Sequence, residues 1–386
     1  MPEEPLRVSW VTDADGVEEM CRCARAAGAI SLDTESDSFH SYFHKLCLMQ
    51  VSCGGKNGLL DPLVLRREDF QPLVALFADA SVQKLLHGAD YDLRVLDRDL
   101  GVRAVRVRDT QIAAQLLGEP RTGLAAMLEL EFGVVLDKRF QRADWGHRPL
   151  GPELEAYAAA DTAYLEPLGH RLEARLDALG RRPWWEEECA VLESVRFEPP
   201  TADELDFERI RGARKLKGTA RDRVAALHRW RESRAAEQDV PPFRVVNPET
   251  MLALAENPPA DLGALAGVKG VGKSLVRRHG AELLRLLAHA PTAPPPGARL
   301  RTPRDREREA RVQRAREVRD TVAGTLAIDP GVLAPRAGLE LFAERLPRSR
   351  DELVACLGRQ WRSDVLAEHL LPLAATWREG ALAGQA

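Results

Sequence analysis

The spacing of apolar residues changes its period twice along this chain, and those changes limit the architectures open to it. Between Ala29 and Leu60 the apolar residues come in short runs bounded by turns: AISLDTE, LCLMQVSC, the turn GGKNG, then GLLD. These read as three strands. From Glu68 onward helical spacing alternates with short strands, in EDFQPLVALFAD, QKLLH, YDLRVLDRDLG, VRVRD, TQIAAQLLG and TGLAAMLELEFG. A longer helical pattern begins near Pro152 and runs to about Gly180, and Pro167 inside it should kink or restart the helix. Strands followed by helix–strand alternation describe a mixed α/β domain over residues 1–180. After RRPWWEEE the strand patterns stop. A connector is expected over 181–206 and an all-helical block over 207–290. The stretch PTAPPPGARLRTP has no apolar periodicity, so an extended linker is expected at 291–304 and a second helical block over 305–386. At 386 residues the chain exceeds the roughly 250–300 residues that one core sustains, which also calls for several domains.

Composition removes whole classes of function. Hydrophobic residues at 45% and charged residues at 30% describe a globular chain rather than a disordered one. No segment approaches the ~18 uninterrupted apolar residues of a membrane span. The start, MPEEPLRVSW, lacks the basic-then-apolar layout of a signal peptide, so a cytoplasmic location is expected. The six cysteines include no CxxC pair, which argues for reduced thiols and against zinc. A net charge of −4 conceals a local reversal: between Asp206 and Arg234 ten Lys/Arg face four Asp/Glu. A polyanion responds to such a stripe rather than to the average.

Asp33 and Glu35 lie two apart in LDTES, so both carboxylates project from one face of a strand. Tyr157 and Asp161 lie four apart in YAAAD and share a helical face. Asp92 sits between them in HGADYDL, where a strand gives way to a helix. Singly, an acidic pair at a strand end is a solvated turn and Tyr157 a half-buried core tyrosine. Converging, the acids repel one another and need neutralising. Carboxylate-rich sites without histidine or thiol suit Mg²⁺ or Mn²⁺. Two such ions about 3.5–4 Å apart can activate a water on one side of a phosphate and stabilise the leaving oxygen on the other.

The segment Val8–Leu176 resembles the DEDD exonuclease domain of the ribonuclease D family, in its tyrosine-containing subclass. The resemblance rests on LDTE at Leu32–Glu35, LLHGADYDLRVL at Leu85–Leu96, RDTQIAAQLL at Arg108–Leu117, LDKRFQRADWGHRPL at Leu136–Leu150 and YAAADTAYL at Tyr157–Leu165. It implies a ribonuclease H-like fold, with Asp33, Glu35, Asp92 and Asp161 as metal-binding acids and Tyr157 positioning the water. Asp92 is preferred to Asp90, because the family places this acid five residues after the histidine of the HG pair. Asp90 and Asp109 are then expected to cap helices. Thr34 and His87 are expected to touch nucleic acid. Ser36 departs from the aromatic that many relatives carry there, which bears on packing of the terminal base. The implied reaction is hydrolysis of RNA 3′ ends to nucleoside 5′-monophosphates, on a substrate with a single-stranded 3′ tail such as a tRNA precursor, by a monomer. The alternatives are a 3′→5′ DNA exonuclease used in repair and a catalytically silent nucleic-acid scaffold.

Gly267–Ser274, GVKGVGKS, fits the phosphate-loop pattern, but a working phosphate loop follows a buried strand and here PADLGALA precedes it. A helix, a glycine hairpin and a second helix are expected instead, with no NTP bound. The surrounding segment, from ALHRWRESRAAEQ to GAELLRLL, resembles the HRDC domain, which implies a five-helix nucleic-acid-binding module. Lys269, Lys273, Arg277 and Arg278 are its candidate phosphate contacts. Residues 305–386 resemble a second, more divergent HRDC-like domain. Its opening, RTPRDREREARVQRAREVRD, mixes eight arginines with five acids, as a solvated charged helix also does.

Overall fold

A computed structural model describes residues 6–137, 139–140, 143–199, 206–294 and 303–383. The chain forms two compact units. One comprises Ser36–Lys45 with Glu198–Arg299, and the other takes the rest.

The larger unit holds a six-stranded sheet of β1 (Val8–Val11), β2 (Ala29–Ser36), β3 (Leu46–Cys53), β4 (Lys56–Leu60), β5 (Gln83–Leu86) and β6 (Val107–Asp109). The spatial order is β1-β4-β3-β2-β5-β6. β1 runs parallel to β4, β3 antiparallel to β4, and β5 parallel to both β2 and β6, so the expected mixed sheet is present. β1 and the following helix α1 (Ala14–Ala27) were not anticipated from the sequence pattern. Asp13 caps α1 by accepting the Gly16 N–H at 2.9 Å. Around the sheet lie α2 (Gln71–Phe77), α3 (Asp90–Leu100), α4 (Thr110–Leu117), α5 (Leu124–Phe132), α6 (Pro152–Ala163), α7 (Leu165–Ala178) and α8 (Arg182–Leu192). The long helical pattern after Pro152 breaks at Tyr164, and Pro167 falls in the first turn of α7, where its missing N–H costs nothing. The connector expected at 181–206 is corrected in its first half: it contains α8, whose Trp185 and Cys189 are fully buried. The Trp185 indole N–H donates to the Asp109 carbonyl at 2.8 Å.

The smaller unit carries α9 (Gly218–Gln238), α10 (Pro242–Val245), α11 (Pro248–Glu256), α12 (Leu262–Ala266) and α13 (Lys273–Ala288). Phe207, Trp230, Met251, Leu254, Leu265 and Leu283 belong to its own core. The phosphate-loop look-alike runs from α12 into α13 with no strand before it. Gly270 has φ +88°, and a Cβ there would lie 2.0 Å from Thr250 Oγ1, so this glycine serves a tight reversal.

The last helices are α14 (Pro303–Leu326), α15 (Pro330–Leu333), α16 (Arg336–Arg345), α17 (Arg350–Leu357) and α18 (Gln360–Ala383). The sequence pattern makes them a separate body behind a linker, and most of that linker lies outside the described residues. In the fold they share one apolar core with α4, α7 and α8: Leu339, Phe342, Leu366 and Leu370 join Leu116, Leu172 and Trp185. Glu188 accepts hydrogen bonds from Arg359 at 3.0 Å, Arg362 at 2.8 Å and the Trp361 indole at 2.9 Å. Trp184 stacks on Trp361 with ring centroids 4.7 Å apart. Gly118, with φ +79°, lets the chain pass so close that a Cβ would sit 1.8 Å from the Ala327 carbonyl oxygen. Among the described residues no helix is long and apolar enough to cross a membrane.

Candidate active site

The first part of β2 is buried and apolar, and this fixes which way its end projects. From Ala29 to Leu32 every residue is buried, whereas Asp33 and Glu35 emerge half-buried on one face, with Thr34 buried between them. A third carboxylate arrives on α6. Its residues Ala158, Ala159 and Ala160 are small enough for the helix to lie close against β3, where the Thr162 and Ser52 hydroxyls meet at 2.7 Å. This brings Asp161 to the acidic pair, and ligand oxygens of Asp33, Glu35 and Asp161 all lie within 4.8 Å of one another.

Asp92 does not enter this group of three. It is buried in the first turn of α3, where its carboxylate accepts the Thr34 hydroxyl at 2.5 Å. It still acts on the others through its charge, being among the groups that hold the Glu35 carboxyl up. Thr34, expected as a nucleic-acid contact, therefore directs its hydroxyl to Asp92. The expectation that Asp90 caps the helix is corrected: Ala89 occupies the cap position, and exposed Asp90 pairs with Arg94 one turn on. Asp109 is a cap as expected, accepting from Gln111 N at 2.7 Å and Ile112 N at 3.2 Å, and it also takes the Gly88 and Ala89 amides. His87 is likewise engaged inside the fold. Its Nδ1 lies 2.9 Å from the Thr110 hydroxyl, which itself donates to the Leu86 carbonyl, and burial keeps the ring below the usual histidine range.

The electrostatics of the cluster are one-sided. Burial pushes the Asp33 carboxyl well up, and the Asp161 charge pushes it further. Glu35 is raised by burial and then by Asp33, Asp161 and Asp92, and Asp92 by burial and then by Asp33. Burial lifts Asp161 to about 7. The strongest charges felt by these acids are other acids, so the group fits a divalent cation and otherwise relieves its repulsion by taking up protons. Its donors are all carboxylate oxygens, the set that hard cations prefer.

Tyr157 stands one turn before Asp161 on α6. Burial and then the charges of Asp161, Glu35 and Asp33 hold its phenol protonated, as a hydrogen-bond donor. Its ring centroid lies 5.6 Å from that of Phe140 and 6.3 Å from that of Trp145. Arg148 anchors the loop that brings these rings: it makes a two-pronged pair with buried Asp61 at 2.7 and 2.9 Å and donates to the Trp145 and Cys47 carbonyls. Trp145, Arg148 and Asp61 are supports that the sequence motifs contained without indicating their use. A cavity of about 290 Å³ opens beside Asp161 and Tyr157, walled by Arg121, Leu136 and the start of α5 at Gly123–Ala126. Sequence reasoning missed this wall, and its one signal was an arginine and a glycine ahead of an uncapped helix. In the smaller unit Lys269, Lys273, Arg277 and Arg278 are all exposed around the α12–α13 hairpin.

A family model described as 3′–5′ exonuclease matches residues 8–177, and an HRDC domain model matches residues 220–287. Ribonuclease D of Escherichia coli K12 is 35% identical over 290 residues, covering 75% of this chain and 76% of that protein. The chain belongs to the ribonuclease D family. Ribonuclease D of Acidiphilium cryptum extends the match to 94% of this chain and 92% of the relative, at 31% identity. Among solved structures, Escherichia coli RNase D, described as an exoribonuclease involved in structured RNA processing, matches with a TM-score of 0.68 and 30% identity. That match covers 94% of this chain and 99% of the other. The chain is accordingly a 3′–5′ exoribonuclease, with an exonuclease domain and an HRDC domain. Exonucleases of the family use divalent metal ions, and the group of Asp33, Glu35 and Asp161 is where this ribonuclease D could hold them.

Proposed function

We propose that this ribonuclease D releases nucleoside 5′-monophosphates one at a time from the 3′ end of structured RNA, including tRNA precursors, as a cytoplasmic monomer. The observation that carries the reading is the meeting of Asp33, Glu35 and Asp161 within 4.8 Å at the end of β2, with Tyr157 one turn away. Asp33, Glu35 and Asp161, with Asp92 linked to them by charge, would hold two ions of Mg²⁺ or Mn²⁺. Such ions, when bound, lower the barrier to in-line attack by polarising water and neutralising the leaving oxygen. The chain's own contribution is placement. The protonated Tyr157 phenol donates a hydrogen bond that orients the attacking water. The cavity beside it receives the terminal nucleoside, and Arg121 meets a phosphate at its rim. Lys269, Lys273, Arg277 and Arg278 hold the RNA backbone, and the block of α14–α18 is a second HRDC-like domain.

The test is a 5′-labelled RNA and the matching DNA, incubated with Mg²⁺, Mn²⁺ or EDTA. A ladder shortening from the 3′ end, metal-dependent, faster on RNA and undetectable in Asp33→Ala, is expected. Tyr157→Phe should lose about a hundredfold in rate with RNA affinity unchanged. Full activity of Asp33→Ala would remove the metal assignment, and a preference for DNA would move the enzyme to repair.

A further inference from the structure

Exposed apolar rings grouped on neighbouring segments mark a surface for a partner, whereas a single exposed ring does not. Among the described residues the exposed phenylalanines are Phe39 at 44%, Phe43 at 65% and Phe243 at 51% exposure, and all three belong to the smaller unit. Phe39 and Phe43 lie on the loop that leaves β2, and Phe39 is only four residues after Glu35 in the chain.

The loop is braced, so its rings are presented rather than loose. The Asp37 carbonyl accepts the His40 and Ser41 amides at 2.7 and 2.9 Å, and its carboxylate takes the Ser41 hydroxyl and the Lys45 amide. A second brace comes from the end of α9, where one Asp239 carboxylate oxygen accepts both the Tyr42 amide at 3.0 Å and the Phe43 amide at 2.9 Å. Asp239 adopts a left-handed backbone with φ 47° and leads within four residues to Phe243, at the start of α10. Arg244 closes the link through a 3.2 Å contact with His40. Lys45 and Arg244, both exposed, lie on the same two segments as the rings.

We infer that Phe39, Phe43 and Phe243 form a stacking platform for unpaired bases of the RNA tail, with Lys45 and Arg244 meeting its phosphates. The inference rests on the exoribonuclease reading above and adds a contact with bases upstream of the terminal nucleoside. The chemistry is that of single-strand recognition: every base has a face that an aromatic ring can cover, whatever the sequence, while cations follow the backbone. Exposed Lys45 and Arg244, on the same two segments as the rings, favour a polyanion with flat groups over an apolar protein surface.

The experiment uses the full chain, in EDTA to prevent cleavage, and a 5′-labelled ten-nucleotide RNA followed by fluorescence anisotropy. Phe43→Ala and Phe243→Ala should each weaken binding by about five- to a hundredfold, and Phe43→Trp should restore it. An unchanged melting temperature shows that the variants fold. A series of RNAs carrying one abasic position separates stacking from any structural effect. The abasic position that weakens binding to the unmodified protein should have no further effect on Phe43→Ala. Unchanged affinity in both alanine variants, or losses that simply add, would overturn the platform while the metal-dependent ladder still stood. Failure of the unmodified protein to shorten RNA would instead bring down the reading beneath it.

Discussion

The two helical blocks of this ribonuclease D follow one local plan and use it differently. In each, a long helix comes first: α9 has 21 residues and α14 has 24. Each of these ends at a left-handed residue that is not glycine, Asp239 with φ 47° or Ala327 with φ 51°. Each is followed by a four-residue helix opening on proline, Pro242 or Pro330, and then by an extended cap residue, Val246 or Ala334. The blocks diverge in what covers their apolar faces. Helices α9–α13 close around their own Trp230, Met251 and Leu283. Helices α14–α18 continue the core of the exonuclease helices and add a charged seam at Glu188. Their surfaces diverge too. Lys269, Lys273, Arg277 and Arg278 are exposed without an ion pair among the described residues, whereas Arg314, Arg316 and Arg336 of the second block pair with Glu317, Asp320 and Glu340. A helix order thus does not determine whether a block is a module or a wall of its neighbour; the partner of its apolar stripe does.

The largest test of this contrast is removal of everything after residue 302. If the second block were a tethered module, chemistry on a short RNA would survive. With a shared core, the truncated chain should lose its cooperative melting transition and its activity together, as circular dichroism and a short-oligonucleotide assay would register. Next in size is the seam. Glu188→Ala strands Arg359 and Arg362 and should cost about 3–5 kcal/mol of stability in denaturant unfolding. Trp361→Ala, which opens a cavity against Trp184, should cost a similar ~3–5 kcal/mol. A loss below about 1 kcal/mol for both would make the seam incidental. In the first block, replacing Lys269, Lys273, Arg277 and Arg278 by Gln should leave the melting temperature alone. It should flatten the dependence of log K on log salt by about 0.7–0.9 for each phosphate that is no longer neutralised. The smallest effect is expected of Arg336→Gln, which should move neither stability nor RNA affinity measurably, because its pair with Glu340 is exposed to solvent.

The grouping of the acids was more legible in the sequence than the packing that supports it. Strand and helix periods pair Asp33 with Glu35 and Tyr157 with Asp161, because that information is local, whereas the joining of the two pairs into one site was implied by the family resemblance. Asp92 was placed on its helix, but its bond to Thr34 joins positions 58 residues apart and has no local signature. β1 escaped notice because a four-residue strand carries little periodicity and is defined by its pairing with β4. Helix α8 did leave a trace: a proline in the first turn, then Trp185, Cys189 and Leu192 at spacings of four and three, obscured by the run of acids among them. The shared core left none, since an apolar stripe on α18 looks the same whether it meets its own block or another.

That shared core also has a consequence for how the chain comes into being. The catalytic strands and α8 are complete by Leu192, but the helices that cover α4, α7 and α8 begin only at Pro303. A ribosome working at about 5–20 residues per second needs on the order of 5–20 s to cross that interval. Throughout it the nuclease has all its acids and an uncovered apolar flank, while α9–α13, with a core of their own, can finish first. The order of synthesis in this protein is therefore not its order of maturation: the exonuclease domain is made before α9–α13 and completed after them.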